Sequence, residues 1–522
     1  MQEATFIQTA SGNSNAAAFP TPGSNMPVQK YNSGKSSACK SICAVILFCA
    51  AMAVAASAQT FTSLAGFGPN VGEVPRTPLT QGPDGNLYGG TVSAGAFGGG
   101  TFFQVTPSAV NVLYNFCFNG NQGCPDGANP TGTITLGPDG SLYGTTQGSF
   151  DGTEGYGTAY KISTSGSYTI LHKFCTLANC SDGAFPYVGL TMGAGGNFFG
   201  MSKPSPGLPS AFNDIVFKIS PAGVFTPILT VCPNQICPTD AGPDETLVLN
   251  SGGNFFGTGS GGGASGAGAI YRMTPAGVPA VVASFCDDRT CHGGYVPGGP
   301  LVLAPTGVFY GANLVGGGGA NCTRSVGCGT AFRATAAGGG SVTKLHDFCS
   351  WKNCADGEGP AALIQATDGN LYGVTFAGGS SQGYGVVFRL TPSGRYSVLH
   401  TFAGSDGQDP ENALFQATDG NLYGTTLFGG VAGNGTIFRI SLGLSPFVRT
   451  LLPAGKVGDS IVILGNGLTG STSVTFNGTA ATFTVVSDTE ITATVPTGAT
   501  AGKIQVVTPS VTLNSDVAFR VF

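Results

Sequence analysis

Five aspartates recur at one place in a repeating chain: Asp126, Asp182, Asp240, Asp356 and Asp406, four of them followed directly by Gly. Carboxylates gathered around a common axis would form an acidic rim, able to accept hydrogen bonds from a polyhydroxyl ligand or to ligate a hard cation. The same residues suit a plainer task, because Asp before Gly closes a tight turn through its side chain. Trp351, the sole tryptophan, lies between Cys349 and Cys354. With Phe118, Phe185 and Tyr295 on comparable stretches it offers sugar rings a stacking surface, or else it props its own loop. The five aspartates and Trp351 are the candidate ligand-binding set.

No catalytic residue is assigned, and no cofactor is expected. The chain carries no nucleophile elbow, phosphate loop or zinc-helix motif. His172, His346 and His400 hold equivalent positions in separate repeats, which keeps them from meeting on one metal ion.

Cysteine spacing speaks to compartment. Of 15 cysteines, Cys39, Cys43 and Cys49 lie in an N-terminal segment, and the rest fall into local pairs. Five pairs share one place in the repeat: Cys117 with Cys124, Cys175 with Cys180, Cys232 with Cys237, Cys286 with Cys291, and Cys349 with Cys354. Cys322 and Cys328 form a sixth. Local pairs in an exported chain read as disulfides. A zinc site would need four ligands together, and no consistent histidine accompanies the pairs. Export is also read from residues 1–58: Lys30, Lys35 and Lys40 precede an apolar run, Ile42 to Ala56, ending in Ala56-Ser57-Ala58. That is the pattern of a cleaved signal segment. A start at Met26, or retention of the run as an anchor, are the alternatives. The expected destination is secreted or cell-surface, with no membrane association after cleavage.

The elements that position these residues come from a repeated phrase. Asp-Gly-Asn-Leu-Tyr-Gly begins at Asp84, Asp368 and Asp419, with Asp-Gly-Ser-Leu-Tyr-Gly at Asp139. Degenerate copies begin at Gly195, Gly252 and Thr306, so seven copies follow one another at intervals of 51 to 62 residues. A second phrase, Gly-Thr-Ile-Phe-Arg at Gly435, has six companions, and a third, Leu-His-x-Phe, closes each unit at Phe174, Phe348 and Phe402 among others. Short alternating runs rich in β-branched and aromatic residues, separated by Asp-Gly and Pro-x-Gly turns, predict four strands a to d per repeat. Gly makes up 86 of the 522 residues, but aromatics in register argue against disorder.

Seven four-stranded units predict an all-β fold: a seven-bladed β-propeller over residues 59–441. The series opens on a lone d phrase, Phe61–Phe67, and its last unit stops after strand c. The N-terminal strand should therefore close the last blade beside Ile437–Ile440. A linear solenoid would not need that permutation. Connections b–c and d–a share one face, and all six cysteine pairs fall on it, so function is expected there.

From Leu442 the period breaks into short strands at sandwich spacing. The Gly465-Asn-Gly467 turn, Phe476-Asn-Gly-Thr479, and Val495-Pro496 before Gly502-Lys-Ile-Gln-Val506 carry a resemblance to IPT/TIG domains, which implies a small Ig-like β-sandwich over 442–522. Some members of that superfamily bind DNA. Here four basic residues face four acidic ones, so that role does not carry over and a spacer or adhesive module is expected. The repeats themselves, over roughly Thr60 to Ser441, resemble the tandem GloVer-type repeats of exported bacterial proteins. That resemblance implies export and surface attachment, with no established catalytic residues.

A formal charge of −5 and no basic cluster exclude nucleic acid as an expected partner. The reading is a monomeric, non-catalytic binding or surface-structural protein whose partner is an extracellular glycan or a surface protein. The alternative is a polysaccharide hydrolase or lyase using the rim carboxylates.

Overall fold

Each copy of the Leu-Tyr-Gly phrase becomes the second strand of a separate antiparallel sheet. The computed structural model describes residues 59–118, 123–149, 155–193, 195–203, 214–230, 246–250, 252–286, 291, 293–335 and 340–522. The signal segment read at 1–58, Asp240 and the Cys232/Cys237 pair lie outside the described residues. The b strands are Leu87–Ser93, Leu142–Thr146, Phe198–Ser202, Phe255–Gly259, Val308–Val315, Leu371–Ala377 and Leu422–Thr426. Their c partners are Thr101–Val105, Thr158–Ile162, Ile215–Ile219, Ala269–Met273, Thr330–Thr335, Val386–Leu390 and Thr436–Ser441. Among the described residues, helix is confined to two short 3-10 turns, Ala178–Cys180 and Lys352–Cys354. None is long and apolar enough to cross a membrane.

The two phrases fit each other across the sheet. The Gly of Leu-Tyr-Gly stands opposite the aromatic of the c strand in all seven sheets: Gly89 and Phe103, Gly144 and Tyr160, Gly200 and Phe217, Gly257 and Tyr271, Gly311 and Phe332, Gly373 and Phe388, Gly424 and Phe438. A Cβ at Gly89 would come within 2.5 Å of the Phe103 ring, and one at Gly200 within 2.6 Å of Phe217. The missing side chain is the space in which the aromatic lies. Strands b and c are buried on both faces, so they read as apolar runs. Strands d, as at Tyr168–Lys173, are only partly buried.

Bonds at strand a and the turn after it join neighbouring sheets. Thr191 Oγ1 donates to Leu247 O at 2.6 Å, Thr367 N to Gln416 Oε1 at 2.9 Å, and Thr418 N to Gln81 Oε1 at 3.1 Å. The last of these joins the final sheet to the first. The N-terminal strand Thr60–Gly66 pairs antiparallel with Thr436–Ser441, Phe61 opposite Ile440, in the place expected for it.

The C-terminal residues fold as two facing sheets. One is built from Arg449–Thr450, Ser460–Leu464, Glu490–Thr494 and Phe483–Ser487, the other from Thr479–Ala480, Ser473–Phe476, Ile504–Val507 and Thr512–Asn514. Alternate residues Ile461 and Ile463, Val474 and Phe476, Ile491 and Ala493, and Ile504 and Val506 fill the space between them. This domain docks on a–b turns. Thr489 Oγ1 donates to Pro83 O at 2.6 Å, Asn466 Nδ2 to Thr418 Oγ1 at 2.7 Å, and Phe447 N to Thr418 O at 3.0 Å. Leu451, Val462 and Leu464 join the apolar cluster of Leu136 and Leu142.

Candidate functional site

The Asp-Gly-Asn-Leu-Tyr-Gly turns spend their polar groups internally. Asp419 accepts from Asn421 Nδ2 at 2.7 Å and from the Tyr423 hydroxyl at 2.8 Å, and Asp84, Asp139 and Asp368 likewise hold Tyr88, Tyr143 and Tyr372. Burial and the Asp419 carboxylate push the Tyr423 phenol up to about 12, so it remains a donor. Lys161, the basic residue ending one c strand, reaches Asp139 at 3.7 Å.

The opposite ends of the strands carry the cysteine loops. Disulfides join Cys117 to Cys124, Cys175 to Cys180, Cys286 to Cys291, Cys322 to Cys328 and Cys349 to Cys354. Within these loops, and in the cysteine-free loop of Asp406, the expected rim aspartates point inward. Asp182 and Asp356 are 0 % exposed. Asp356 accepts from Ser350 N and Trp351 N, each at 3.0 Å, and lies 3.1 Å from His346 Nε2. Asp182 accepts from Thr176 N and Oγ1 and from Leu177 N, and lies 3.2 Å from His172 Nε2. Asp126 is also buried and takes the Tyr114 hydroxyl at 2.7 Å; the half-buried Asp406 takes Ala403 N and His400 Nε2, each at 2.8 Å. The geometry at these four is that of a carboxylate closing its own loop. Desolvation of a bare carboxylate is what the backbone N–H groups offset.

The histidines thus belong to the aspartates. Burial lowers the pKa of His172 and His400, against the opposing pull of Asp182 and Asp406. Each ring also stacks on the next sheet: His172 on Phe225 at 3.9 Å and His346 on Tyr396 at 4.0 Å. No group of three or more metal-ligating side chains occurs among the described residues.

Several apolar side chains stand exposed on this face, among polar ones such as Lys352 and Asn353. Trp351 is 45 % exposed, its ring edge-on to Tyr396 at 5.6 Å. Phe118 (54 % exposed) and Phe97 (44 %) meet edge to face at 5.3 Å. Leu177 and Phe428 stand exposed on neighbouring loops. Of the other aromatics grouped with Trp351, Phe185 is buried and Tyr295 is half-buried, so neither extends the exposed surface.

A cavity of 380 Å³ opens near the heads of the strands a, with residues from each of the seven repeats around it. Its polar side chains include Arg76, Thr131, Gln147, Tyr187, Glu411 and Asn412. Arg76 Nη2 and Glu411 Oε2 are 3.5 Å apart. Burial raises the pKa of Glu411, with Arg76 opposing and Asp409 reinforcing, and burial raises Asp409 too. The chain enters the cavity wall through residues of positive φ before proline: Val74 (56°), Asn129 (57°), Phe185 (48°), Val296 (55°) and Asp409 (53°). Non-Gly residues held there are costly and are retained where the surroundings fix them. None of the cavity residues is among those singled out by sequence. The recurring residue-before-Pro at the head of strand a was the available signal.

The family model for the Gloeobacter/Verrucomicrobia repeat matches residues 50–207, 149–326 and 318–460, and that for the IPT/TIG domain matches 446–521. No curated protein matches the chain in sequence. Among solved structures, a luciferin-regenerating enzyme is 10 % identical, with a TM-score of 0.38 over 74 % of this chain and 97 % of its own. A gluconolactonase from Xanthomonas campestris is 13 % identical, at 0.36 over 74 % and 92 %. PorZ, a surface component of the type-IX secretion system of Porphyromonas gingivalis, is 12 % identical, at 0.47 over 88 % and 61 %.

Proposed function

The chain belongs to the Gloeobacter/Verrucomicrobia repeat family, and from that premise we propose that it is an exported surface protein that binds a glycan without cleaving it. We read its seven sheets as the blades of a closed β-propeller, with the IPT/TIG domain seated on the a–b turns as a spacer. Five disulfides among the described residues support an oxidising destination.

The observation that carries the binding reading is the polarity of the molecule. The C-terminal domain lies against the a–b turns at Pro83 and Thr418, while exposed aromatics stand on the disulfide loops at the other ends of the strands. Aromatic faces on loops stiffened by disulfides stack on sugar rings at little entropic cost. The inward-turned aspartates do not favour the hydrolytic reading, because Asp182 and Asp356 present no oxygen to a substrate.

Retention on insoluble polysaccharides and on a glycan array tests this. The intact protein should be retained without releasing reducing ends, and Trp351→Ala with Phe118→Ala should abolish retention. Reducing ends released by the intact protein would replace the binding reading with the hydrolase.

A further inference from the structure

We infer that the 380 Å³ cavity at the channel mouth is a distinct small-ligand site that takes a neutral saccharide end, one or two rings in size. The inference rests on the glycan reading and adds to it where a chain end goes. At the low end of the usual pocket range, the volume admits a mono- or disaccharide and little more.

The polar groups of the cavity decide the ligand class. Its two charges, Arg76 and Glu411, stand 3.5 Å apart and neutralise each other, so a charged ligand has to break that pair and a neutral one does not. The remaining groups both donate and accept, as sugar hydroxyls do. The Thr131 hydroxyl is buried with no hydrogen-bond partner among the described residues, a shortfall that a ligand hydroxyl would remedy. The Gln147 side chain lines the same space. One wall is held rigid: Tyr187 donates to Asp214 at 3.2 Å, and the Lys203 ammonium lies 4.5 Å from its ring centroid.

Calorimetric titration of the full chain with cellobiose, maltose, lactose and, as the charged comparison, digalacturonate tests the site. At least one neutral disaccharide should bind, and Gln147→Ala and Thr131→Val should each weaken it about tenfold or more. Thermal melts of each variant establish that folding is intact, and Thr131→Val is near-isosteric for that reason. No saturable binding of any neutral disaccharide at about 10 mM, tighter binding of digalacturonate, or indifference to both variants would overturn the inference. If polysaccharide retention persists in those cases, the channel site alone fails. If retention is lost as well, the glycan reading fails with it.

Discussion

The imidazole of His400 lies flat against the ring of Phe61, 3.5 Å between centroids and 5° from parallel, although the two come from opposite ends of the repeat region. The same relation joins Tyr114 to Tyr168, His172 to Phe225 and His346 to Tyr396. In each, a ring late in one strand d stacks on the first aromatic of the next strand d. Phe61 therefore occupies the place that Tyr168, Phe225 and Tyr396 hold elsewhere, and the N-terminal strand acts as the missing d strand of the last sheet.

Phe61→Ala removes that stack together with contacts to Phe438 and Phe402. Truncation of a packed Phe costs about 3–5 kcal/mol at full burial, and Phe61 is half-buried, so a loss near the lower bound is expected. The urea midpoint reads it. Phe61→Tyr should be tolerated, because tyrosine does this work at Tyr168 and Tyr396. Equal damage from both variants would contradict the assignment.

The histidine latches give stability a pH dependence whose sign is fixed. Burial lowers the folded-state pKa of His172 and His400, with Asp182 and Asp406 as the charged groups facing them. The unfolded chain then binds protons first as pH falls below about 6.5, so stability declines from there down through the folded-state values. Denaturation midpoints at pH 7.5 and 5 should differ in that direction. The double variant His172→Gln and His400→Gln should narrow the difference, and a midpoint that rises on acidification would refute the assignment of these two rings as neutral.

The strand pattern was legible because the repeat wrote it seven times. Gly in Leu-Tyr-Gly and Phe in Gly-Thr-x-Phe-Arg recur because each fits the other across the sheet, as at Gly200 and Phe217. The lone d phrase at Phe61 announced the closing strand for the same reason. Side-chain direction was not legible: Asp356 repeats whether it faces solvent or its own loop, and only Ser350 N, Trp351 N and His346 reveal which. The cavity left no repeating trace either. Arg76, Gln147 and Glu411 differ from repeat to repeat and meet only where the sheets come round to one another.

Asp356 should behave as a structural residue. Asp356→Ala leaves two backbone N–H groups of the loop without their acceptor, costing about 1–3 kcal/mol for each if they stay buried. Limited proteolysis should cut near Lys352 far faster in the variant than in the intact protein. Asp356→Asn keeps one acceptor oxygen and should fall between. A variant as resistant as the parent, with lowered glycan retention, would return Asp356 to the ligand.

Arg449 ties the C-terminal domain to the last sheet. Its Nε donates to Asp516 at 2.7 Å, its Nη2 to Gln416 O at 3.1 Å, and its guanidinium lies 5.1 Å from the Phe415 ring and 5.2 Å from Phe447. Planarity is what allows one group to serve two acceptors while stacked, so Arg449→Lys should recover less than half of what Arg449→Ala loses. The loss expected is about 1–3 kcal/mol, combining a charge-assisted hydrogen bond with a cation–π contact. Hydrogen exchange locates it: the amide of Phe447, bonded to Thr418 O across the same junction, should exchange faster in both variants. The sandwich core around Phe476 should exchange as before, because Arg449 is not part of it. Faster exchange in that core, with the junction unchanged, would show that Arg449 serves the domain's own fold and not its seat on the propeller-like sheets.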